Sequence, residues 1–388
     1  MCVIMIVTTR TFVEGIEFTG ENPKFTIRSG AIGLPPDFET VILPTLNDQI
    51  KQGFNREINN NINSRIRRFS SEPEKFIRAW GDSSVFSSDG ATQRNYAGYD
   101  LFAFTLGPMI GFALPPNLSG VIDEITAEGD KALDFFGKHD DLYFGANPQI
   151  LSAQIGLNTS RFLPINNLYL GLRIGFMNLD NVNFDPVSIS FNNFSIGITA
   201  NYQIIPQQKY ASGLVLWRGL NVGTGFLYQG TKLNLGMAIE TIVVKVDGDT
   251  ISGVTFKDTV LNIDPTLAFS METDTLTIPL EAITSVKLLH FLNLALGLGV
   301  DLGFGRSKIN TNIDVDVKVP SYDSEKLELL SDGYLSTNLG GERPPFAFNL
   351  KLMSGVGFSL GPVIIDVPIS YYPITNGFSA GITLGVAF

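Results

Sequence analysis

Large apolar side chains alternate with small ones through most of the chain after residue 100. Between Phe291 and Gly305, Leu292, Leu294, Leu296, Leu298, Val300, Leu302 and Phe304 face Asn293, Ala295, Gly297, Gly299, Asp301, Gly303 and Gly305. Successive side chains on a strand point to opposite faces, so this spacing predicts a strand that is oily on one side and nearly bare on the other. The same contrast recurs at 100–114, 151–157, 168–176, 346–352 and 363–371. It closes the sequence, where Phe378, Ala380, Ile382, Leu384, Val386 and Phe388 oppose Ser379, Gly381, Thr383, Gly385 and Ala387. An uncharged apolar strand at an open sheet edge would aggregate, and closure into a barrel removes the edge. A soluble sandwich would carry polar residues on its solvent faces, whereas the second face here is mainly Gly, Ala, Ser and Asn. The expectation is an all-β fold: a closed antiparallel transmembrane β-barrel of 12–14 strands over residues 99–388, with a helical plug before it.

The remaining strands read less cleanly. Apolar parity slips at Asn192-Asn193 within 187–204, which marks a bulge or a turn, the bulge being favoured. Segments 214–228 and 232–246 flank Gln229-Gly230-Thr231, read as a hairpin turn, and 260–271 and 276–286 flank a second turn at Glu272-Thr273-Asp274. Beyond Phe304 alternation resumes one residue out of phase at Ile309, Ile313, Val315, Val317 and Val319. That predicts one long strand with a bulge, projecting past the membrane into an outer loop at 320–344. Residues 117–146 form a second long, acidic excursion.

Residues 11–98 have a different texture, expected to form a plug or hatch. Leu46, Ile50, Phe54, Ile58, Ile62 and Ile66 recur every four residues among Asn, Gln, Lys and Arg, which predicts an amphipathic helix over about 40–68 with one thin apolar seam. Such a helix fits a polar lumen as well as a coiled-coil partner. The stretch 81–95 reads as loop. Residues 1–10 contain the apolar run Cys2 to Val7 without a preceding basic residue, either the tail of a signal peptide or an ordinary strand.

Composition narrows the function. A net charge of −11 speaks against a grip on nucleic-acid phosphates. One cysteine and two histidines leave little for disulfides or metal. His139-Asp140-Asp141 lies in the acidic excursion and reads as a solvated patch, and His290 as a strand-boundary residue. No Gly-Lys-Ser or Gly-Lys-Thr follows the glycine-spaced strands, and no Ser, His and Asp set has a recognisable signature. Neither an enzyme nor a cofactor is expected. Charges assigned to the bare, luminal parity are Arg173, Lys232, Glu240, Glu281, Asp301, Lys351 and Asp366, which either pair with one another or line a solute route.

As a whole the chain resembles bacterial outer-membrane barrels. The stretch Gly90-Ala91-Thr92-Gln93-Arg94-Asn95-Tyr96-Ala97-Gly98-Tyr99 is similar to spirochaete surface proteins described as adhesins. An N-terminal hatch inside such a barrel is similar to the long-chain fatty-acid transporter family. The transporter resemblance implies uptake of a hydrophobic or small solute; the adhesin resemblance implies a barrel that anchors loops binding a host or matrix protein. The expected partners are the lipid bilayer and the barrel-assembly machinery, through the terminal strand ending in Phe388.

Overall fold

The computed structural model describes residues 19–28, 39–40, 43–45, 47–48, 52, 73–88, 101–114, 145–184, 187–246, 250–251, 254–255 and 257–388. Leu46, Ile50, Phe54, Ile58, Ile62 and Ile66 fall outside these residues, as do Gly90 to Tyr99 and His139 to Asp141.

Ten strands carry the alternation. They are β1 (Phe102–Ala113), β2 (Gly145–Asn158), β3 (Leu168–Phe184), β4 (Val187–Ile205), β5 (Val215–Ala238), β6 (Thr259–Leu288), β7 (Leu292–Ser321), β8 (Phe348–Leu360), β9 (Val363–Tyr372) and a two-part β10 (Gly377–Gly381 and Thr383–Ala387). Each pairs antiparallel with the next. Both parts of β10 pair with β9 and also with β1, so the ladder returns to its start. Short turns join the strands at one end, among them Leu289-His290-Phe291; there Leu289 and His290 adopt φ of 50° and 67°, the left-handed backbone of a tight hairpin. The described connection 322–347 lies at the other end.

The ring has ten strands rather than twelve to fourteen because both expected mid-chain turns are absent. Gln229, Gly230 and Thr231 sit inside β5, paired with Ser195, Phe194 and Asn193 on one side and Thr275, Asp274 and Thr273 on the other. Turn-forming residues are tolerated because each side chain has a destination. Gln229, Thr231, Thr273 and Thr275 are buried inward, while Asp274 faces outward and accepts a hydrogen bond from the Tyr228 hydroxyl at 2.9 Å.

Neither expected bulge exists. Through Asn192-Asn193, and from Gly305 to Ile309, the register runs without a shift. What changes is the face that carries the oil. Along β7 Leu294, Leu296, Leu298 and Phe304 are exposed on the outward face, while Ile309, Ile313, Val315, Val317 and Val319 are buried on the inward one. The strand does not slip; its surroundings switch from apolar outside to apolar inside. The outward series Leu292 to Phe304 runs about 40 Å along the strand at ~3.3 Å per residue, or about 28 Å of height at a tilt of ~45°.

Beyond that switch β6 and β7 build a head with its own core. Leu261, Ile263, Ile313, Val315, Val317 and Val319 pack with Phe25, Val244, Leu327 and Leu335. The expected loop 320–344 instead holds the strands Leu327–Ser331 and Gly333–Arg343. Leu327–Ser331 pairs with Lys24–Ile27, and Gly333–Arg343 with Thr19–Glu21 and β7. Ile242–Val246 extends the sheet beside β6. The inward Leu327 and Leu335 give these polar stretches a core to cover.

Inside the ring lies helix α1 (Pro73–Ser88). Its course corrects the loop expected from Gly81. Gly and Ser are weak helix formers, but here tertiary contacts decide: every residue from Ala79 to Ser88 is buried.

Candidate functional site

α1 is held by a polar network that the inward faces of the strands supply. Ser84 Oγ lies 2.9 Å from Thr275 Oγ1, Ser88 Oγ donates to Thr277 Oγ1 at 3.0 Å, and Ser87 Oγ is 3.0 Å from Gln229 Oε1. Asn147 Nδ2 donates to Ser83 Oγ at 2.9 Å, and its Oδ1 accepts from Thr231 Oγ1 at 2.7 Å and Asn193 Nδ2 at 3.1 Å. Gln149 Nε2 joins the set through Gln229 Oε1 at 2.9 Å. Buried polar groups are costly when unpaired, so breaking this many buried hydrogen bonds opposes movement of the helix.

Glycines let the helix come close. A Cβ on Gly145 would lie 2.1 Å from the Ala79 carbonyl oxygen, and one on Gly111 2.5 Å from that of Ser83. A Cβ on Gly377 would meet the Phe86 ring at 2.1 Å; that ring stacks on Tyr372 at 3.9 Å between centroids, both side chains fully buried. On the other side Ile77 and Trp80 pack with Phe191, Met271 and Ile309. Phe191 is thus the reason for the parity slip in β4: its inward face is apolar where α1 needs it.

A strap, residues 343–347, links the head strand Gly333–Arg343 to β8 and fastens the helix. Arg343 pairs with Glu74, and the Phe346 N–H donates to Asp82 Oδ1 at 2.6 Å. Burial pushes the Asp82 carboxyl up to about 7, against the opposing pull of that N–H and of the Arg78 guanidinium.

Of the seven charges assigned to the lumen, three meet. Lys351 Nζ lies 2.8 Å from Asp301 Oδ1 and also pairs with Glu281, with Lys351 and Asp301 completely buried. Gly299 stands between Glu281 and Lys351 in the cross-strand row, and its bare face lets the lysine reach across. Asp366 is buried inward beside Asn293 and Gly357, and Arg173 is half-buried inward between Gln154 and Gly197.

The other two are corrections. Lys232 faces outward, paired with Glu272 at 2.7 Å, because β5 continues through the supposed turn and Gln229 and Thr231 take the inward parity. Glu240 lies exposed past the end of β5. Lys232 belongs to an outward row of alternating charge, Lys232–Glu272–Lys308–Glu342, just beyond the apolar row Ile196–Tyr228–Leu276–Phe304.

The sequence reading missed the network on α1. Its signal was present as Asn, Gln and Thr on the inward parity of β2, β4, β5 and β6 and as the serines of 83–88, but only the register shows that they share a level. Among the described residues no group of three or more His, Cys, Asp and Glu is placed to hold a metal ion.

Comparison with solved structures finds similarity to the translocator domain of the autotransporter NalP from Neisseria meningitidis, at 10% identity over 78% of this chain and 92% of that one, TM-score 0.29. The toluene transporter TbuX from Ralstonia pickettii is 12% identical over 80% of this chain and 99% of that one, TM-score 0.24. A Pseudomonas aeruginosa FadL homologue is 8% identical over 80% and 98%, TM-score 0.24. At such scores the fold rests on its own strand pairings. No curated protein matches the sequence. The Lsa36-like family model matches residues 40–388. A surface-protein family and an oily outward belt on a ring of strands together place the chain in the bacterial outer membrane. It belongs to the Lsa36-like family of spirochaete surface proteins.

Proposed function

We propose that the ring is a closed transmembrane barrel that displays a folded β head outside the cell, with α1 as a plug and the head as the part that binds a host or matrix protein. The observation carrying this reading is the switch of apolar face within the unbroken β6 and β7. Below it the oil faces lipid; above it the oil is packed into a head, which a bare pore would not need. The short turns then lie on the periplasmic side and the long connections outside, the usual arrangement for such barrels. The last strand, ending in Phe388, is the segment offered to the barrel-assembly machinery.

Proteoliposome binding to immobilised matrix protein tests the display reading. Reversing Asp314 and Asp316 to Lys changes the outward face of the head and spares its core. Weakened binding at unchanged barrel folding is expected; binding unaffected by this change and by a head-directed antibody would remove the head from the account.

A second reading, passage of a small solute, has its own support. The buried Gln154 Oε1, Thr199 Oγ1, Asn221 Oδ1 and Thr383 Oγ1 on the inner wall make no hydrogen bond among the described residues, and such groups call for water or a polar solute. Liposome swelling in small sugars after removal of residues 11–90 separates the readings, since a barrel that stays closed speaks against passage.

A further inference from the structure

We propose that the head carries a strand-acceptor groove, held by the chain's own residues 19–28, in which an extended segment of the partner protein pairs with Leu327–Ser331 and seats an aromatic side chain. The inference rests on the display reading above and names the place and mode of binding. Residues 19–28 lace round the corner at Asp332 and Gly333. Thr19–Glu21 pairs with 334–336 on one side of it, and Lys24–Ile27 pairs with Leu327–Ser331 on the other. Gly333 allows the passage, since a Cβ there would lie 2.6 Å from Pro23 Cδ. One side chain goes deep. Phe25 is 3% exposed within the head core, its ring edge-on to that of Tyr322 at 5.3 Å between centroids.

Much of the remaining hold is on the backbone. The Arg28 N–H donates to the Lys326 carbonyl at 3.1 Å, and Asn47 Oδ1 accepts from the Phe25 N–H at 3.3 Å. Thr19, Gly20, Glu21 and Lys24 are exposed. A short added strand with one buried aromatic is how a sheet recognises an extended peptide: main-chain hydrogen bonds supply affinity and a pocket selects the side chain. The resident segment fits this groove imperfectly. Its register slips between Leu329 and Ser331, and Ser331 Oγ, opposite Lys24, and Asn22 Oδ1 are buried without a hydrogen bond among the described residues. Each such atom costs free energy that a better-matched strand recovers. The occupant with the matching chemistry is a partner segment that runs on in register, places an aromatic ring where Phe25 sits and sets a polar group against Ser331.

The probe is a fluorescein-labelled peptide of residues 19–28, titrated onto the full chain in vesicles. Two variants loosen the resident segment by different routes. Phe25→Ser removes its anchor, and Gly20→Val forces a Cβ to 2.0 Å from the Tyr334 carbonyl oxygen while leaving the head core filled. The Phe25→Ser chain should bind the peptide about thirtyfold more tightly than the natural chain, whose own segment competes, because a buried aromatic anchor carries about that factor. The Gly20→Val chain should also bind it more tightly than the natural one, and a peptide carrying Phe25→Ser should bind neither. The natural peptide should displace the immobilised matrix protein of the display assay, which both variants should hold more tightly than the natural chain does. Failure of the peptide to bind either variant, or peptide binding that leaves the matrix protein in place, overturns the proposal and leaves the display reading standing. A matrix protein held by neither the natural chain nor the variants removes the display reading and the proposal with it.

Discussion

Replacing Phe86 by Ala separates the docking of α1 from the pairing of the ring. The ring is fully buried and stacks on Tyr372 at 3.9 Å, so the change removes a whole core side chain and an aromatic pair. Phe→Ala in a core costs about 3–5 kcal/mol. The backbone hydrogen bonds of the strand ladders are untouched, since Phe86 belongs to α1; what is lost is the packing of its ring on Tyr372 and Gly377. At 1.4 kcal/mol per factor of ten, the docked-to-undocked ratio of α1 should fall by about 10²–10⁴. Limited proteolysis at 73–88 and planar-bilayer conductance should both report the opening, while the heat-sensitive gel mobility of the folded barrel persists. A variant as protease-resistant and as closed as the natural chain would refute the assignment of α1 as a docked plug; one whose strands fail to pair would show helix and ring to be a single unit.

Three further outcomes follow from particular side chains. Lys351→Met leaves Asp301 and Glu281 buried without their cation and should cost about 3–5 kcal/mol in urea unfolding, with Lys351→Met/Asp301→Asn recovering part of it. The Asp82 carboxyl, on α1 and outside the strands of the ring, has a docked pKa of about 7, above its ordinary value of 3.8. Its neutral form therefore favours docking: the contribution is complete below about pH 4 and is lost as pH rises through 7, so protease access to α1 should increase between mildly acidic and mildly alkaline pH, and Asp82→Asn should flatten the change. Ile313→Ala empties part of the head core at a cost of about 2–5 kcal/mol and should abolish binding by the head while tryptophan fluorescence of the inserted barrel is kept.

Much of the barrel was legible in the sequence because strand parity is local. Leu292 to Phe304 and the terminal series needed only the two-residue period to announce an oily outer face, and both lie outward as read. Where the reading failed, the deciding partner was far away in the chain. Asn192-Asn193, Gln229-Gly230-Thr231 and Glu272-Thr273-Asp274 looked like interruptions because a strand in isolation has no use for polar or turn-forming residues. In the folded chain these three stretches pair side by side and send Asn193, Gln229, Thr231 and Thr273 inward at the level of α1. The apparent bulge after Phe304 had the same origin, since hydrophobic phase tracks the surroundings of a strand as well as its register. The triad of Glu281, Asp301 and Lys351 was readable as three inward charges, but their meeting depends on Gly299, whose importance shows only across three strands.

The central claim is that one strand, β7, passes from lipid into a packed head without a break. With Cys2 replaced by Ser, single nitroxide labels at Leu296→Cys and Lys318→Cys measure it directly in vesicles. The label at 296 should be relaxed by oxygen dissolved in the bilayer and shielded from an aqueous nickel complex, while the label at 318 shows the reverse. A label at 296 that the aqueous complex reaches as freely as the one at 318 would contradict it.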